Sequence, residues 1–298
     1  MFASSERAPL GYQTRACREA PTSTLWPLST PQLGGVSSRR MSSRSEQAAD
    51  WDAVWRDTPE SEDVHAELRG LRWRVQHELV ADRRGDIRGL RVIEIGAGRA
   101  TNALLYALHG ASATVLDRSA LALEQAAEHF ARHELAVDTI QADVFELPKD
   151  LLGRFDVSMS FGLCEHFLGE RRRCVVGAHV ELLNAKGIAM VNVPNRLSPL
   201  YRAWMGLAKR RGTWTLGTEV PFSARELRSL ARQAGGRPLS PVYISGLGTL
   251  VGHGVNPLLR RLGRSEVRVP QTQIPVLDLL AYDLLVPIVR PRSVDVAR

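Results

Sequence analysis

Residues 92–98, Val-Ile-Glu-Ile-Gly-Ala-Gly, are the stretch that decides the fold. An apolar run ends there in an acid and two glycines, and an apolar run at 103–108 follows a short polar link. This pattern predicts a strand that passes through a tight turn into a helix. Glycine is favoured in such a turn because the backbone approaches a ligand closely or takes a positive φ. Alone, the motif is weak evidence, since any strand-to-helix turn of an α/β protein can carry it.

Two more acids follow the next predicted strands. The run at 113–117 ends in Asp117, 21 positions after Gly96, and the run at 137–142 is followed by Asp143. At about that spacing an acid meets ribose hydroxyls in nucleotide-binding folds, because a carboxylate accepts hydrogen bonds from both. Each aspartate by itself is more typical of a turn or a helix cap. Acids after successive strands indicate a ligand site, because open parallel sheets bind ligands at that edge.

With residues 155–167, Phe-Asp-Val-Ser-Met-Ser-Phe-Gly-Leu-Cys-Glu-His-Phe, and 187–195, Gly-Ile-Ala-Met-Val-Asn-Val-Pro-Asn, the chain resembles the class I S-adenosylmethionine-dependent methyltransferases. The matching motifs cover roughly residues 50–235 in the order and spacing of that family. The resemblance implies a doubly wound fold, S-adenosylmethionine as the cofactor, and methyl transfer as the activity.

The resemblance also assigns the cofactor site. The residues it implies are Glu94, Gly96, Ala97, Gly98, Asp117, Arg118, Asp143, Val144 and Phe161. It places Glu94 and the backbone of the two glycines near the methionine part. It places Asp117 at the ribose, and Asp143 with Val144 beside the adenine.

Predicted strands and helices alternate after residue 45, which is typical of a doubly wound, mostly parallel Rossmann-like sheet with helices on both faces. We predict one methyltransferase domain over 46–298, with its cofactor-binding half at 46–165. A substrate-covering insert is expected at about 196–222, and the last strands at 238–290. Helices are predicted to begin at serine caps, Ser119 and Ser223.

Composition agrees with one enzyme domain plus additions. The chain has 298 residues and is 44% hydrophobic, enough for one α/β domain of about 200–250 residues. No stretch is long and apolar enough to span a bilayer, because the best one, 276–289, contains Asp278, Asp283 and Pro287 and fits a late strand better. The net charge of +7 comes mainly from arginine, and we do not predict nucleic-acid binding from it.

Residues 1–45 differ from the rest. They are rich in Ser, Arg and Pro and show no periodicity, so a disordered leader is predicted. Residues 1–40 also have the composition of an organelle transit peptide. Translation from Met41 is the alternative that we favour, with a cytoplasmic protein as the result.

His166 and Glu165 are the candidate catalytic residues. If the acceptor is a hydroxyl, a base must take its proton, and imidazole titrates near neutrality. We therefore predict His166 as the general base and Glu165 as the residue that orients it. The alternative is a structural pair that fixes the turn after the fourth strand. No metal site is predicted, and His129 with His133, one helical turn apart, lack an obvious third ligand.

Residues 197–211 combine an apolar helical face with basic residues. The apolar set is Leu197, Leu200, Tyr201, Trp204, Met205 and Ala208, and the basic set is Arg202, Lys209, Arg210 and Arg211. The preferred interpretation is a helix that closes the active site. The alternatives are contact with a membrane surface, which would suit a lipophilic acceptor, and contact with nucleic acid through arginine and tryptophan.

Methyl transfer to an oxygen or nitrogen of a small organic acceptor is the predicted function. One alternative is a nicotinamide-dependent oxidoreductase, which Ala100 disfavours because dinucleotide enzymes commonly have a third glycine there. The other is a non-catalytic partner subunit of methyltransferase-like fold. The sequence predicts no oligomeric state.

Overall fold

The computed structural model of the protein describes residues 12–13, 51–56 and 63–291. The leader prediction therefore falls almost wholly outside the described residues. Its described part, Tyr12–Gln13, is a short strand paired antiparallel with Glu146–Leu147. At these two positions the expectation of disorder does not hold, because the backbone is paired with the folded domain.

The domain alternates strands and helices. The strands are β1 (Tyr12–Gln13), β2 (Arg91–Ile95), β3 (Ser112–Asp117), β4 (Asp138–Gln141), β5 (Glu146–Leu147), β6 (Phe155–Phe161), β7 (Leu183–Pro194), β8 (Arg237–Pro238), β9 (Val242–Ile244) and β10 (Asp283–Val289). The α-helices are α1 (51–56), α2 (Val64–Leu68), α3 (Leu71–Arg84), α4 (Thr101–Leu108), α5 (Ala120–Ala131), α6 (Glu170–Leu182), α7 (Pro199–Arg210), α8 (Ala224–Gln233), α9 (Gly246–Thr249) and α10 (Asn256–Arg261).

The main sheet has the spatial order β4-β3-β2-β6-β7-β10-β8, with β9 also paired to β10. The strands from β4 to β7 in this order are parallel, and β10 runs antiparallel to its neighbours. The chain leaves β2 toward β3 on one side and returns to β6 on the other. The strand order therefore reverses between β2 and β6, which is where open α/β sheets bind ligands. The predicted doubly wound fold is confirmed.

Both faces of the sheet are covered by helices. Val92 of β2 packs into one hydrophobic layer with α3 and α4, whereas Ile93 and Ile95 pack into a second layer with α6 and α8. Burial on both faces explains why the central strands are almost continuously apolar. No helix among the described residues is both long and apolar enough to cross a membrane.

A helical insertion interrupts the last strands. Between β9 and β10 the chain forms α9, a π-helical turn at Leu250–Val255, α10 and a 3-10 turn at Pro275–Leu280. Only strands were predicted over 238–290, so this is a correction. The glycines at the start of the insertion disfavour helix and weaken its pattern in the sequence. The insertion closes on itself, because the Tyr282 N–H donates to Thr249 Oγ1 at 2.8 Å.

Both predicted caps are present. Ser119 accepts from the Ala122 N–H at the start of α5, and Ser223 accepts from the Glu226 N–H at the start of α8. The Glu226 carboxylate pairs with Arg172 of α6 and with Arg196, so it links α8 to its neighbours.

Candidate active site

A cavity of about 350 Å³ opens at the carboxyl ends of β2, β3, β4 and β6. Helix α1 and the segment after α7 also contribute to its walls. The lining residues are Trp51, Val54, Trp55, Ile95, Gly96, Ala97, Leu116, Asp117, Arg118, Ala142, Val144, Phe161, Gly162, Leu163, Glu165, His166, Phe167, Leu216, Glu219 and Tyr282. Because it lies at the reversal of strand order, it is the candidate active site.

The glycine turn forms one wall. Gly96 and Gly98 have φ of +60° and +52°, a conformation that favours glycine. A Cβ on Gly98 would lie 2.3 Å from a ring carbon of Trp55, so the indole packs directly on the turn. The indole of Trp55 therefore covers the glycine turn.

Asp117 is held by the turn. One carboxylate oxygen accepts from the Gly98 N–H at 3.1 Å, and the other accepts from the Ser119 N–H at 2.9 Å. Burial raises the pKa of Asp117, while these N–H groups oppose that rise. A carboxylate has about four acceptor positions, more than the backbone donors of Gly98, Ser119 and Arg118 use, so it remains able to accept a hydrogen bond from a ligand.

Three residues of the predicted cofactor set do not line the cavity. Glu94 accepts from the Asn102 side chain at 3.0 Å and from the Ala103 N–H at 2.8 Å, so it binds the start of α4 beneath the turn. Asp143 accepts from the Phe145 N–H at 3.0 Å. Gly98 lies behind Trp55. The other members of the set, Gly96, Ala97, Asp117, Arg118, Val144 and Phe161, are brought together around one space.

A polar cluster marks the other part of the cavity. Ligand-type atoms of Glu165, His166 and Glu219 lie within 4.8 Å of one another, with both glutamates buried and His166 half-buried. No metal site was predicted from the sequence, yet these three residue types are metal ligands as well as acids and bases. The 3-10 turn Cys164–His166 after β6 supplies two of them.

The ring of His166 is fixed by a backbone carbonyl. Its Nδ1 donates to the oxygen of Thr218 at 2.8 Å, and Trp51 contacts the ring edge-to-face at a centroid distance of 4.8 Å. The Thr218 carbonyl thus makes the orienting hydrogen bond that the sequence analysis assigned to Glu165. Burial lowers the pKa of His166, so the ring is neutral at physiological pH.

Glu165 and Glu219 are buried, which is unusual for carboxylate side chains. Glu165 is only 2% exposed, and its Oε2 has no hydrogen-bond partner among the described residues. Burial raises its pKa to about 8. Glu219 accepts a hydrogen bond from the hydroxyl of Tyr201, and burial raises its pKa as well.

Sequence analysis missed Glu219 and Tyr282 as cavity residues. Glu219 follows α7 in an irregular segment, and Tyr282 follows the insertion. Neither belongs to a periodic pattern or a motif. Their approach to Glu165 depends on how distant segments pack, for which the local sequence carries no signal.

The two histidines of α5 and its C-terminal end, His129 and His133, lie outside this cavity. The rings of His129 and His133 are 5.8 Å apart beside a separate cavity of about 290 Å³. His129 is buried, with Nδ1 3.1 Å from the Arg99 carbonyl. Within the described part of the chain, the metal-ligating types gather in threes only around Glu165.

Comparison with known proteins gives a domain match over part of the chain and a similar fold. Residues 92–187 match the family model of a methyltransferase domain. No curated protein matches the chain.

Two solved structures are similar over most of the chain. The 1,6-didemethyltoxoflavin-N1-methyltransferase of Burkholderia thailandensis, with 1,6-didemethyltoxoflavin and S-adenosylhomocysteine bound, has a TM-score of 0.51 at 16% identity, covering 86% of this chain and 92% of that one. The magnesium protoporphyrin IX methyltransferase of Synechocystis PCC 6803, with S-adenosylhomocysteine bound, has a TM-score of 0.50 at 15% identity, covering 83% and 95%. At such identities the likeness concerns the fold.

Proposed function

We propose that this chain, which belongs to the class I S-adenosylmethionine-dependent methyltransferases, transfers a methyl group to an oxygen or nitrogen of a small organic acceptor. The nicotinamide alternative is not retained, because the methyltransferase match covers the glycine turn on which that alternative depended. Enzyme class and cofactor follow from the family; the acceptor and the residue roles are our proposal.

The cavity residues fit a nucleoside cofactor. We assign Asp117 to the ribose, since its oxygens keep free lone pairs beside the turn. Val144 and Phe161 supply apolar walls, and Trp55 covers the turn. The backbone of Gly96 and Ala97 lines the same space.

Two other predicted cofactor residues, Glu94 and Asp143, have a supporting role in this proposal. Glu94 holds the start of α4, and Asp143 holds its own turn near Arg118. We propose that these two carboxylates position the walls.

One observation carries the proposal: Asp117 and the Glu165-His166-Glu219 cluster line the same cavity. S-adenosylmethionine held there would supply an activated methyl group, with the neutral thioether as the leaving group that takes the electron pair of the broken carbon–sulfur bond. Orientation can contribute about 7–11 kcal/mol to such a displacement in favourable cases. His166, neutral and held by Thr218, takes the acceptor's proton.

The volume supports a small acceptor. About 350 Å³ is near the lower end of ligand pockets, and much of it must hold the cofactor. Leu216, Glu219 and Tyr282 also line this space. One similar structure has 1,6-didemethyltoxoflavin and S-adenosylhomocysteine bound.

Calorimetric titration of the full chain tests the cofactor site. We expect S-adenosylmethionine and S-adenosylhomocysteine to bind, NADH not to bind, and Asp117→Ala to weaken the sulfur nucleosides about tenfold or more, since a charge-assisted hydrogen bond is lost. Asp138→Ala, at the exposed start of β4, is the matched control. Equal affinity in the two variants would remove Asp117 from the site.

His166→Ala tests the base. We expect turnover with an acceptor library and radiolabelled cofactor to fall by about 10²–10⁴-fold, with unchanged affinity for S-adenosylhomocysteine. Unchanged turnover would leave His166 a structural role only.

A specific observation also favours membrane-surface contact through 197–211. On α7, Tyr201 and Ala208 are buried, whereas Trp204 is 43% exposed and the preceding Leu197 is 54% exposed. Basic side chains of the segment are exposed beside them. An apolar stripe with a basic rim is typical of interfacial helices. We expect the chain to sediment with anionic vesicles at low salt and Trp204→Gln to weaken this; no sedimentation would leave α7 as a cover alone.

A further inference from the structure

The Glu165-His166-Glu219 cluster contains two buried carboxyl groups, and methyl transfer to a neutral acceptor does not require two negative charges at this place. Glu165 and Glu219 are 2% and 4% exposed. Neither forms a salt bridge within the described residues, although Arg172 and Lys209 act on them from a distance. Burying a charged carboxylate without a cation is costly, and a cation that arrives with the ligand offsets that cost.

The geometry of the cluster fits an ammonium group. Hydrogen-bond acceptors arranged tetrahedrally about 2.8 Å from one nitrogen lie about 4.6 Å apart. The ligand-type atoms of the three residues lie within 4.8 Å of one another, and Glu165 Oε2 has no other partner. A metal ion in a structural site takes about four ligands or more, whereas the cluster supplies three among the described residues.

Aromatic rings flank the carboxylates. Tyr282 and Trp51 line the cavity with them, and Tyr201, which donates to Glu219, packs on Tyr282 at a centroid distance of 4.5 Å. Aromatic faces attract cations once water is excluded. The acceptor end thus offers both carboxylate and π-electron density to a positive group.

We propose that the methyl acceptor is an amine, bound through its ammonium group between Glu165 and Glu219. This deepens the proposed function and rests on it. One proton of the ammonium passes to His166, and the freed lone pair on nitrogen becomes the bond to the methyl carbon. The methylated product is again an ammonium ion, so the same carboxylates hold it until release.

Competition calorimetry tests the proposal with the full chain saturated by S-adenosylhomocysteine. The probes are phenethylamine and its neutral counterpart 2-phenylethanol, which match in size and in the aromatic ring. We expect the amine to bind about tenfold tighter or more. Glu165→Gln and Glu219→Gln should each abolish this preference and leave the affinity for S-adenosylhomocysteine unchanged. Glu128→Gln, an exposed carboxylate on α5, is the control that should change neither.

The outcomes separate the two proposals. Equal binding of amine and alcohol, or a preference that survives both glutamine variants, overturns the amine assignment while S-adenosylhomocysteine binding still upholds the methyltransferase. Tight binding of MnCl₂ or MgCl₂ that excludes the amine and is lost in Glu219→Gln overturns it in favour of a metal site. Absence of S-adenosylhomocysteine binding is instead a failure of the proposed function. Unchanged near-ultraviolet circular dichroism establishes that the variants are folded.

Discussion

At the residue scale, burial determines the chemistry of Glu165. Removal from water favours the protonated acid, Glu219 and Asp283 add to this, and Arg172 only partly opposes it, so the pKa rises to about 8. The free protein therefore carries a proton on this side chain at neutral pH. A ligand cation would favour its loss, which links ligand binding to ionisation.

The raised pKa predicts a stability change with pH. The folded state holds the proton up to about pH 8, whereas an unfolded glutamate loses it near pH 4.5. The folded state binds more protons in that window, so stability falls as pH rises through it, by about 1.4 kcal/mol for each pH unit at most. Glu165→Gln does not titrate. We expect it to unfold at a higher temperature than the wild type at pH 9 and to lose that advantage near pH 5.

Thermal unfolding followed by circular dichroism from pH 5 to pH 9 measures this difference. Glu128→Gln, whose carboxylate is exposed, should follow the wild type throughout. Parallel curves for the wild type and Glu165→Gln would mean that Glu165 is ionised in the folded protein.

At the element scale, two hydrogen bonds connect α1 to α5 and its cap. The hydroxyl of Ser119 caps α5 and also donates to Asp52 of α1, and Gln125 donates to the Trp55 carbonyl at 3.3 Å. One serine thus connects the start of α5 to the helix that carries Trp55. The stability of α5 and the covering of the glycine turn are coupled through it.

Ser119→Ala should therefore affect both. Loss of a cap costs about 1 kcal/mol of stability. Loss of the Asp52 contact should also loosen Trp55, so we expect S-adenosylhomocysteine to dissociate several times faster. Stopped-flow tryptophan fluorescence measures the rate, and urea unfolding measures the stability.

Ser223→Ala provides the comparison, because Ser223 caps α8 in the same way and does not line the cavity. It should cost similar stability without changing the dissociation rate. Equal rates in both variants would show that Ser119 acts as a cap only.

The strands and helices also show which features of the fold can be predicted from the sequence. The strand ends that carry Gly96, Asp117 and Val144 were predicted correctly, because apolar runs and turn residues are local signals. The helices of the insertion between β9 and β10 were not predicted, because its glycines have low helix propensity and weaken the helical pattern in the sequence. The role of Glu219 was missed for another reason: it lies 54 positions from Glu165, and tertiary packing alone brings the two together.

At the scale of the whole molecule, the two edges of the sheet serve different purposes. The carboxyl edge holds the cavity, and the amino edge holds a charged hub at Asp156. Its carboxylate accepts from Arg84, from the Asn184 amide at 2.7 Å and from the Arg91 N–H at 2.9 Å. These contacts join α3, β2, β6 and β7 below the site.

Asp156→Ala should leave the half-buried Arg84 and Asn184 without this acceptor and cost about 1–3 kcal/mol of stability. Because the hub lies at the opposite edge, we expect the affinity for S-adenosylhomocysteine at low temperature to stay within about twofold of the wild type. Chemical denaturation and calorimetry measure the two quantities. A large loss of affinity in protein that is still folded would show that the edges are coupled.

Predictions about the whole molecule divide in the same way, into features with a local sequence signal and features that depend on tertiary packing. The fold could be predicted because strands and helices alternate, and the cofactor because three strand ends resemble those of methyltransferases. The amine acceptor that we propose could not be predicted, because the proposal rests on Glu165, Glu219 and Tyr282, which only tertiary packing brings together. The cytoplasmic location and the transit-peptide interpretation of residues 1–40 stay predictions.

The closed insertion has an evolutionary consequence. Its ends meet where the Tyr282 N–H bonds to Thr249, and Tyr282 itself lines the cavity. Closing a loop between fixed ends costs little more when the loop is longer, so the segment can be exchanged or resized at small cost to stability. Acceptor preference can thus diverge by cassette replacement at this one junction, while the nucleoside half of the enzyme is inherited unchanged.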